Sequence, residues 1–168
     1  MLKLFTLLSL ILTTTAFAEL KIGDALPEIK GTTQENAVIE TKSFLDNKNK
    51  DYKEYILVYF YPKADTPGCT KQACSLRDAY AVLQKKGVKI FGVSTDKVAE
   101  QKAFKEKFKL PFDLIADTEK VWTKAFDVSV TMGFASRQAF LFKAGKLVWL
   151  DTSASTAEQA KDVLDFIK

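Results

Sequence analysis

The chain alternates short, continuously apolar runs with longer stretches in which apolar residues recur every three or four positions. Tyr55-Ile56-Leu57-Val58-Tyr59-Phe60-Tyr61 is the densest apolar run. Its β-branched and aromatic composition is that of a buried strand. Val88 to Thr95 is a second such run, mostly apolar and therefore expected near the centre of a sheet. Shorter strands are expected over Ala37–Thr41 and Phe112–Ile115, with Ser43–Asp46 as a turn of helix or a loop. Gln138–Phe142 and Lys146–Leu150 flank Lys143-Ala144-Gly145, a hairpin signal. Helical spacing begins at Pro67 and runs to about Lys86, with Ala73, Leu76, Tyr80 and Leu83 on one face and Gly87 as its stop. Lys97–Phe108 repeats the pattern with Val98, Ala99, Phe104 and Phe108. Thr118 is placed to cap a helix through Val121, Trp122, Ala125 and Phe126, and Ser155 or Thr156 a final amphipathic helix ending near Ile167. Glu19–Thr33, with Gly23, Pro27 and Gly31, reads as extended, and Val128–Ser136 as a loop.

The resulting order, β-α-β-α-β-α-β-β-α, defines an α/β protein. Strands separated by helices imply right-handed crossovers and a central sheet covered by helices on both faces. The closing hairpin makes that sheet mixed. A thioredoxin-like fold with added elements has this order, as do other α/β sandwiches. Composition agrees with one globular domain: 168 residues, 47% hydrophobic and 27% charged. The first eighteen residues stand apart. Lys3, the apolar run Leu4–Leu12 and Ala16-Phe17-Ala18 form the positive, apolar and small-x-small regions of a secretory signal peptide. The run is shorter than the roughly 20 residues that span a bilayer. A signal peptide over 1–18 leaves one domain over 19–168. The net charge of +4 is spread along the chain, and Lys48, Lys50 and Lys53 are interleaved with Asp46, Asp51 and Glu54. That is a solvated surface and gives no sign of a nucleic-acid partner.

Candidate chemistry gathers where the densest strand gives way to the first helix. Cys69 and Cys74 are the only cysteines. Pro62 stops the strand, Thr66 stands at N-cap and Pro67 at N1, so Cys69 falls at N3. Backbone N–H groups there lack partners and the helix dipole is positive, which stabilises a thiolate. The chain has no histidine, which excludes Cys-His and Ser-His catalysis and imidazole-dependent zinc sites. Asp65, Asp78 and the cysteines lack the spacing of a metal site. In an exported protein two cysteines also read as a structural staple, although so short a loop constrains the unfolded chain little. Positions i and i+5 of an α-helix have Cα atoms roughly 8–9 Å apart, beyond the roughly 7 Å reach of a disulfide. A bond between the two therefore requires the helix to unwind locally.

Pro62-Lys63-Ala64-Asp65-Thr66-Pro67-Gly68-Cys69 fits the Pro-x-x-x-Thr-x-x-Cys motif of peroxiredoxins. Continued through Thr70-Lys71-Gln72-Ala73-Cys74-Ser75-Leu76-Arg77-Asp78, it closely resembles the bacterioferritin comigratory protein or PrxQ branch. Ile22–Pro27, Phe91-Gly92-Val93-Ser94 and Arg137 are similar to that branch as well. The resemblance implies a thioredoxin-like fold of peroxiredoxin type and an atypical two-cysteine, thioredoxin-dependent peroxidase in antioxidant defence. Cys69 would be peroxidatic and Cys74 resolving. Thr66 would bond the peroxide, Pro62 would shield the thiolate, and Arg137 would orient thiolate and substrate. Implied partners are hydrogen peroxide, organic hydroperoxides and a thioredoxin-like or glutaredoxin-like reductant, with no cofactor. An intramolecular disulfide needs no second subunit, so a monomer is expected. The signal peptide adds export, to a periplasm, without membrane association once cleaved. Arg137-Gln138-Ala139-Phe140 stands where the family commonly has Arg-Ser-Thr-Phe, so the polar support of the arginine is expected to differ. Two other readings compete: a thiol–disulfide oxidoreductase, which typically carries Cys-x-x-Cys, and a stapled binding module.

Overall fold

A computed structural model describes residues 19–46, 48 and 53–168; the signal segment expected over 1–18 lies outside the described residues. The elements in chain order are β1 (Lys30–Thr32), β2 (Val38–Glu40), β3 (Tyr55–Phe60), α1 (Pro67–Asp78), α2 (Tyr80–Lys85), β4 (Val88–Ser94) and α3 (Val98–Phe108). There follow β5 (Asp113–Ala116), α4 (Val121–Ala125), β6 (Val130–Thr131), β7 (Phe134–Ala135), β8 (Gln138–Lys143), β9 (Lys146–Asp151) and α5 (Gln159–Phe166). A 3-10 turn over Thr41–Phe44 fills the place left open between helix and loop.

β3 is the hub, as its composition predicts. It pairs in parallel with β4 and antiparallel with β8, and the sheet runs β5-β4-β3-β8-β9. The period of two along β3 divides its side chains between two cores. Leu57 and Tyr59 pack with Ala73 and Leu76 of α1, Leu83 of α2, Phe104 of α3 and Val163 of α5. Ile56, Val58 and Phe60 pack with Trp122 and Phe126 around α4 and with Phe140 and Phe142 of β8. Helices thus cover both faces, but unevenly. On the α4 side Leu26 of the leading segment and Phe44 and Leu45 of the 3-10 turn complete the cover.

Five expectations change in detail. The long helix is interrupted at Ala79 (φ −91°, ψ 0°), whose N–H reaches the carbonyls of both Ser75 and Arg77. The tightened turn sets Tyr80 against Phe112, with ring centroids 6.2 Å apart. On α3, Ala99 is exposed and Gln101 takes the buried position. α4 is capped by the Asp117 carboxylate, which accepts the N–H groups of Trp122 (3.0 Å) and Thr123 (2.9 Å); Thr118 does not cap it. α5 begins only at Gln159 with Glu158 at N-cap, so neither Ser155 nor Thr156 caps it; Ser155 accepts the Glu158 N–H at 2.9 Å in the turn before the helix. The loop before β8 contains the β6–β7 pair. The β8–β9 turn is as read: Ala144 and Gly145 both have positive φ, 45° and 77°, the signature of a type I′ hairpin.

Gly92 of β4 lies opposite Tyr59 of β3. A Cβ there would stand 2.6 Å from Tyr59 Oη and 2.8 Å from Leu114 Cδ2, and both side chains are fully buried. Gly92→Ala is therefore expected to destabilise the protein by about 1–3 kcal/mol through overpacking. The measurement is the urea midpoint at unchanged m-value, and a variant as stable as the parent would show that the core can yield at this point.

Candidate active site

The site is built at the C-terminal end of β3. Tyr61 continues the strand pairing, its N–H reaching Val93 O at 3.1 Å, and is fully buried. Half-buried Pro62 ends the pairing, and the loop turns through Asp65 at φ 59°. Thr66 is extended at the N-cap position of α1, but its hydroxyl donates to the Lys63 carbonyl (3.0 Å) and no described side chain caps the helix. The sequence-based expectation of Thr66 at N-cap holds for its backbone only. Its side chain closes the loop instead, which leaves the first-turn N–H groups open towards the site.

Within α1 the buried residues are Cys69, Gln72, Ala73 and Leu76, one continuous face. Cys69 is 2% exposed. Cys74 is half-buried and lies about 140° around the helix from Cys69. Both thiols are free.

Arg137 reaches this thiol through sheet register. Gln138 pairs with Phe60, so the preceding residue arrives beside the loop that follows β3. Arg137 Nη2 donates to Cys69 Sγ at 3.3 Å, and Nη1 donates to Gln72 Oε1. A guanidinium offers a rigid fork of donors, so one group holds the sulfur and the Gln72 carbonyl together. The residues after it give no support: Gln138 bonds Ser136 Oγ (3.1 Å) and Ala139 is fully buried in the core. The polar partner comes from α1. Gln72 in turn donates through Nε2 to Gln159 Oε1 of α5 at 2.7 Å, and both glutamines are fully buried.

The loop is also fastened to the base of α3. Asp96 accepts the Ala64 N–H and the Ser94 hydroxyl, each at 2.7 Å. Gln101 accepts the Tyr61 hydroxyl and donates to Ser94 Oγ (2.8 Å) and Ile115 O (3.0 Å). Burial pushes the Tyr61 phenol far above its ordinary range, so it remains a neutral donor. Lys107 holds Asp65 at 2.6 Å on the surface. Arg77 pairs with Asp78 (2.8 Å) and donates to Phe108 O (3.0 Å), so it links α1 to α3. Tyr61 and Trp122 are core residues, as expected. Among the described residues no cluster of acidic, cysteine or histidine side chains could hold a metal.

Sequence reasoning named Cys69, Cys74, Thr66, Arg137 and Pro62 but missed Gln72, Gln101, Gln159 and Asp96. For the glutamines a signal existed: each occupies a place in a helical stripe that otherwise calls for an apolar residue. Asp96 had none, because only the tertiary fold brings it to Ala64.

A free, buried thiol at an open helix N-terminus, held by a guanidinium at the end of a mixed sheet, defines a thiol-based redox enzyme of thioredoxin-like fold. The chain matches the AhpC/TSA family over residues 22–150. It is 38% identical over 111 residues to the putative peroxiredoxin bcp of Coxiella burnetii, a match covering 66% of this chain and 69% of that protein. Peroxiredoxin Bcp of Escherichia coli strain K12 is 35% identical over 157 residues, 89% of this chain and 96% of that one. The crystal structure of peroxidoxin BcpB from Mycobacterium tuberculosis superposes with a TM-score of 0.79 at 26% identity, covering 89% and 97% of the two chains. The chain belongs to the AhpC/TSA family, and its relatives within it are the Bcp and PrxQ peroxiredoxins. It is a thiol-dependent peroxidase, acting on peroxides and re-reduced by thioredoxin-like proteins. The oxidoreductase and binding-module readings give way to this one.

Gly68 gives the geometry a sharp test. A Cβ on it would stand 3.3 Å from Arg137 Nη2 and 3.6 Å from Thr156 Cγ2. Gly68→Ala should hold or raise stability, by up to about 1 kcal/mol from helix propensity. It should also slow thiol oxidation by peroxide roughly tenfold, since about 1.4 kcal/mol of lost orientation is enough. Urea denaturation and stopped-flow oxidation measure the two effects separately.

Proposed function

We propose that Cys69 is the peroxidatic nucleophile and Cys74 the resolving thiol, with Thr66, Arg137 and Pro62 completing the site. The observation that carries this reading is the Arg137 Nη2–Cys69 Sγ hydrogen bond of 3.3 Å at the uncapped N3 position of α1. The Cys69 thiolate attacks one oxygen of the peroxide. An S–O bond forms, the O–O bond breaks, and the departing alkoxide or hydroxide takes a proton. Arg137 and the open N–H groups of the first turn face the charge that develops on the leaving oxygen. The Thr66 hydroxyl already donates its proton to Lys63 O, so its oxygen accepts the O–H of the bound peroxide. Pro62, at the mouth of the loop, limits the access of water to the sulfur.

The sulfenic acid on Cys69 is then attacked by the Cys74 sulfur, giving a disulfide and water. Two thiols about 140° apart on one helix cannot meet while it is intact. The first turns of α1 therefore unwind, and an external dithiol restores both thiols by exchange. The substrates are hydrogen peroxide and organic hydroperoxides, and the donor is thioredoxin-like or glutaredoxin-like and works outside the cytoplasm. Export to a periplasm is supported by Lys3, Leu4–Leu12 and Ala16-Phe17-Ala18, with 19–168 as the mature domain. No helix among the described residues is long and apolar enough to cross a membrane. Resolution within one chain supports a monomer.

Stopped-flow oxidation of the two serine variants tests the assignment. Cys69→Ser should abolish the fast reaction with peroxide. Cys74→Ser should retain it but stop at the sulfenic acid, trapped by a dimedone adduct on Cys69. A Cys69 thiol no faster than free cysteine would sink the reading. Hydrogen exchange over Pro67–Leu76 should rise on oxidation, and unchanged protection there would rule out the unwinding.

A further inference from the structure

We propose that Gln159, the first residue of α5, is a positioning residue for the peroxidatic site, acting through Gln72 on Arg137. This rests on the reading of Cys69 and Arg137 given above and extends the site to the C-terminal helix.

The donor inventory fixes the direction of the chain of bonds. Arginine has only donors, so the atom of Gln72 that meets Arg137 must be the carbonyl Oε1. The Gln72 amide nitrogen then faces the other way, and it donates to Gln159 Oε1 at 2.7 Å. Gln159 must accept with its own carbonyl, which leaves its Nε2 buried on the other side. There it has no hydrogen-bond partner among the described residues. Leaving a buried donor without a partner is costly, so this glutamine is not explained as a well-satisfied core residue. What it provides is an acceptor that locks the amide of Gln72.

Without that acceptor, the Gln72 amide is free to turn. A turned amide presents Nε2 to Arg137, donor against donor, and the guanidinium loses the anchor that holds Nη2 on Cys69. Two further contacts keep Gln159 in place. The next N–H, of Ala160, donates to Ser75 Oγ of α1 at 3.2 Å. Thr156, three residues earlier, lies by Gly68, where a Cβ would come within 3.6 Å of its Cγ2. The start of α5 is thus moulded to the α1 face that carries Cys69.

The test is a double-mutant cycle on the full-length protein, read as the second-order rate constant of Cys69 oxidation by hydrogen peroxide. Gln159→Leu removes the acceptor and should slow the reaction about tenfold. Gln159→Glu keeps an acceptor oxygen in the same place and should stay within about twofold of the parent. In an Arg137→Ala background, Gln159→Leu should have no further effect, since the guanidinium through which it acts is gone. Thermal melts establish that each variant is folded at the assay temperature. The inference is overturned if Gln159→Leu is as fast as the parent, if Gln159→Glu is as slow as Gln159→Leu, or if the leucine effect persists undiminished without Arg137. If Arg137→Ala itself leaves the rate unchanged, the reading of the site fails rather than the added role of Gln159 alone.

Discussion

A cysteine only 2% exposed and a guanidinium Nη2 3.3 Å from its sulfur form the contact on which the rest of the molecule depends. The two groups are 68 residues apart in sequence and meet through the antiparallel register of β3 and β8. β8 is held in register on both of its sides. The type I′ turn at Ala144-Gly145 fixes β8 against β9. The division of β3 and β8 side chains between the two cores fixes β8 against β3, because a slip of one residue would turn every core side chain to the wrong face. Burial of Leu57, Val58, Phe140 and Phe142 is therefore also what places Arg137. Hydrophobic packing, not the polar site, sets the position of the charge.

The first turns of α1 are held in place yet weakly built. Thr66 forgoes the side-chain cap, which is typically worth about 1 kcal/mol. Gly68 gives up roughly as much in helix propensity relative to alanine. Twelve residues are marginal for an isolated helix, so α1 owes its order to Ala73 and Leu76 in the core and to Gln72. These same choices serve the chemistry. The missing cap leaves N–H groups for the substrate, and the glycine leaves room for Arg137. In the proposed cycle, catalysis and ease of unwinding arise from one set of residues.

Most of the fold was legible because its signals are local. The apolar runs marked β3 and β4, the hairpin turn marked β8 and β9, and Pro67 marked the start of α1. The proline–threonine–cysteine spacing, together with the resemblance it carries, pointed to the five named residues. What escaped was decided by partners distant in sequence. The break at Ala79 sets Tyr80 on Phe112, and the cap of α4 is a carboxyl at Asp117 whose pKa burial raises. Gln72, Gln101 and Gln159 were visible as polar residues in apolar stripes, but nothing local showed which of them met the arginine and which the tyrosine.

The contacts around the loop also set the limits of the proposed unwinding. Before the helix, Tyr61 is held by Gln101, Ala64 by Asp96 and Asp65 by Lys107, all three from the β4–α3 connection or α3 itself. After the cysteines, Ser75 is joined to Ala160 and Arg77 to the Phe108 carbonyl. Between these two sets of ties lie Thr66 to Cys74, the segment that holds both thiols. Its side-chain fastenings described above are few: the Thr66–Lys63 bond, the Arg137–Cys69 contact, the Gln72–Arg137 and Gln72–Gln159 bonds, and the burial of Cys69 and Ala73. A segment tied firmly at both ends and lightly within it unwinds as a unit and returns to the same register. In the proposed cycle, resolution moves one sulfur to the other without disturbing the sheet that placed Arg137.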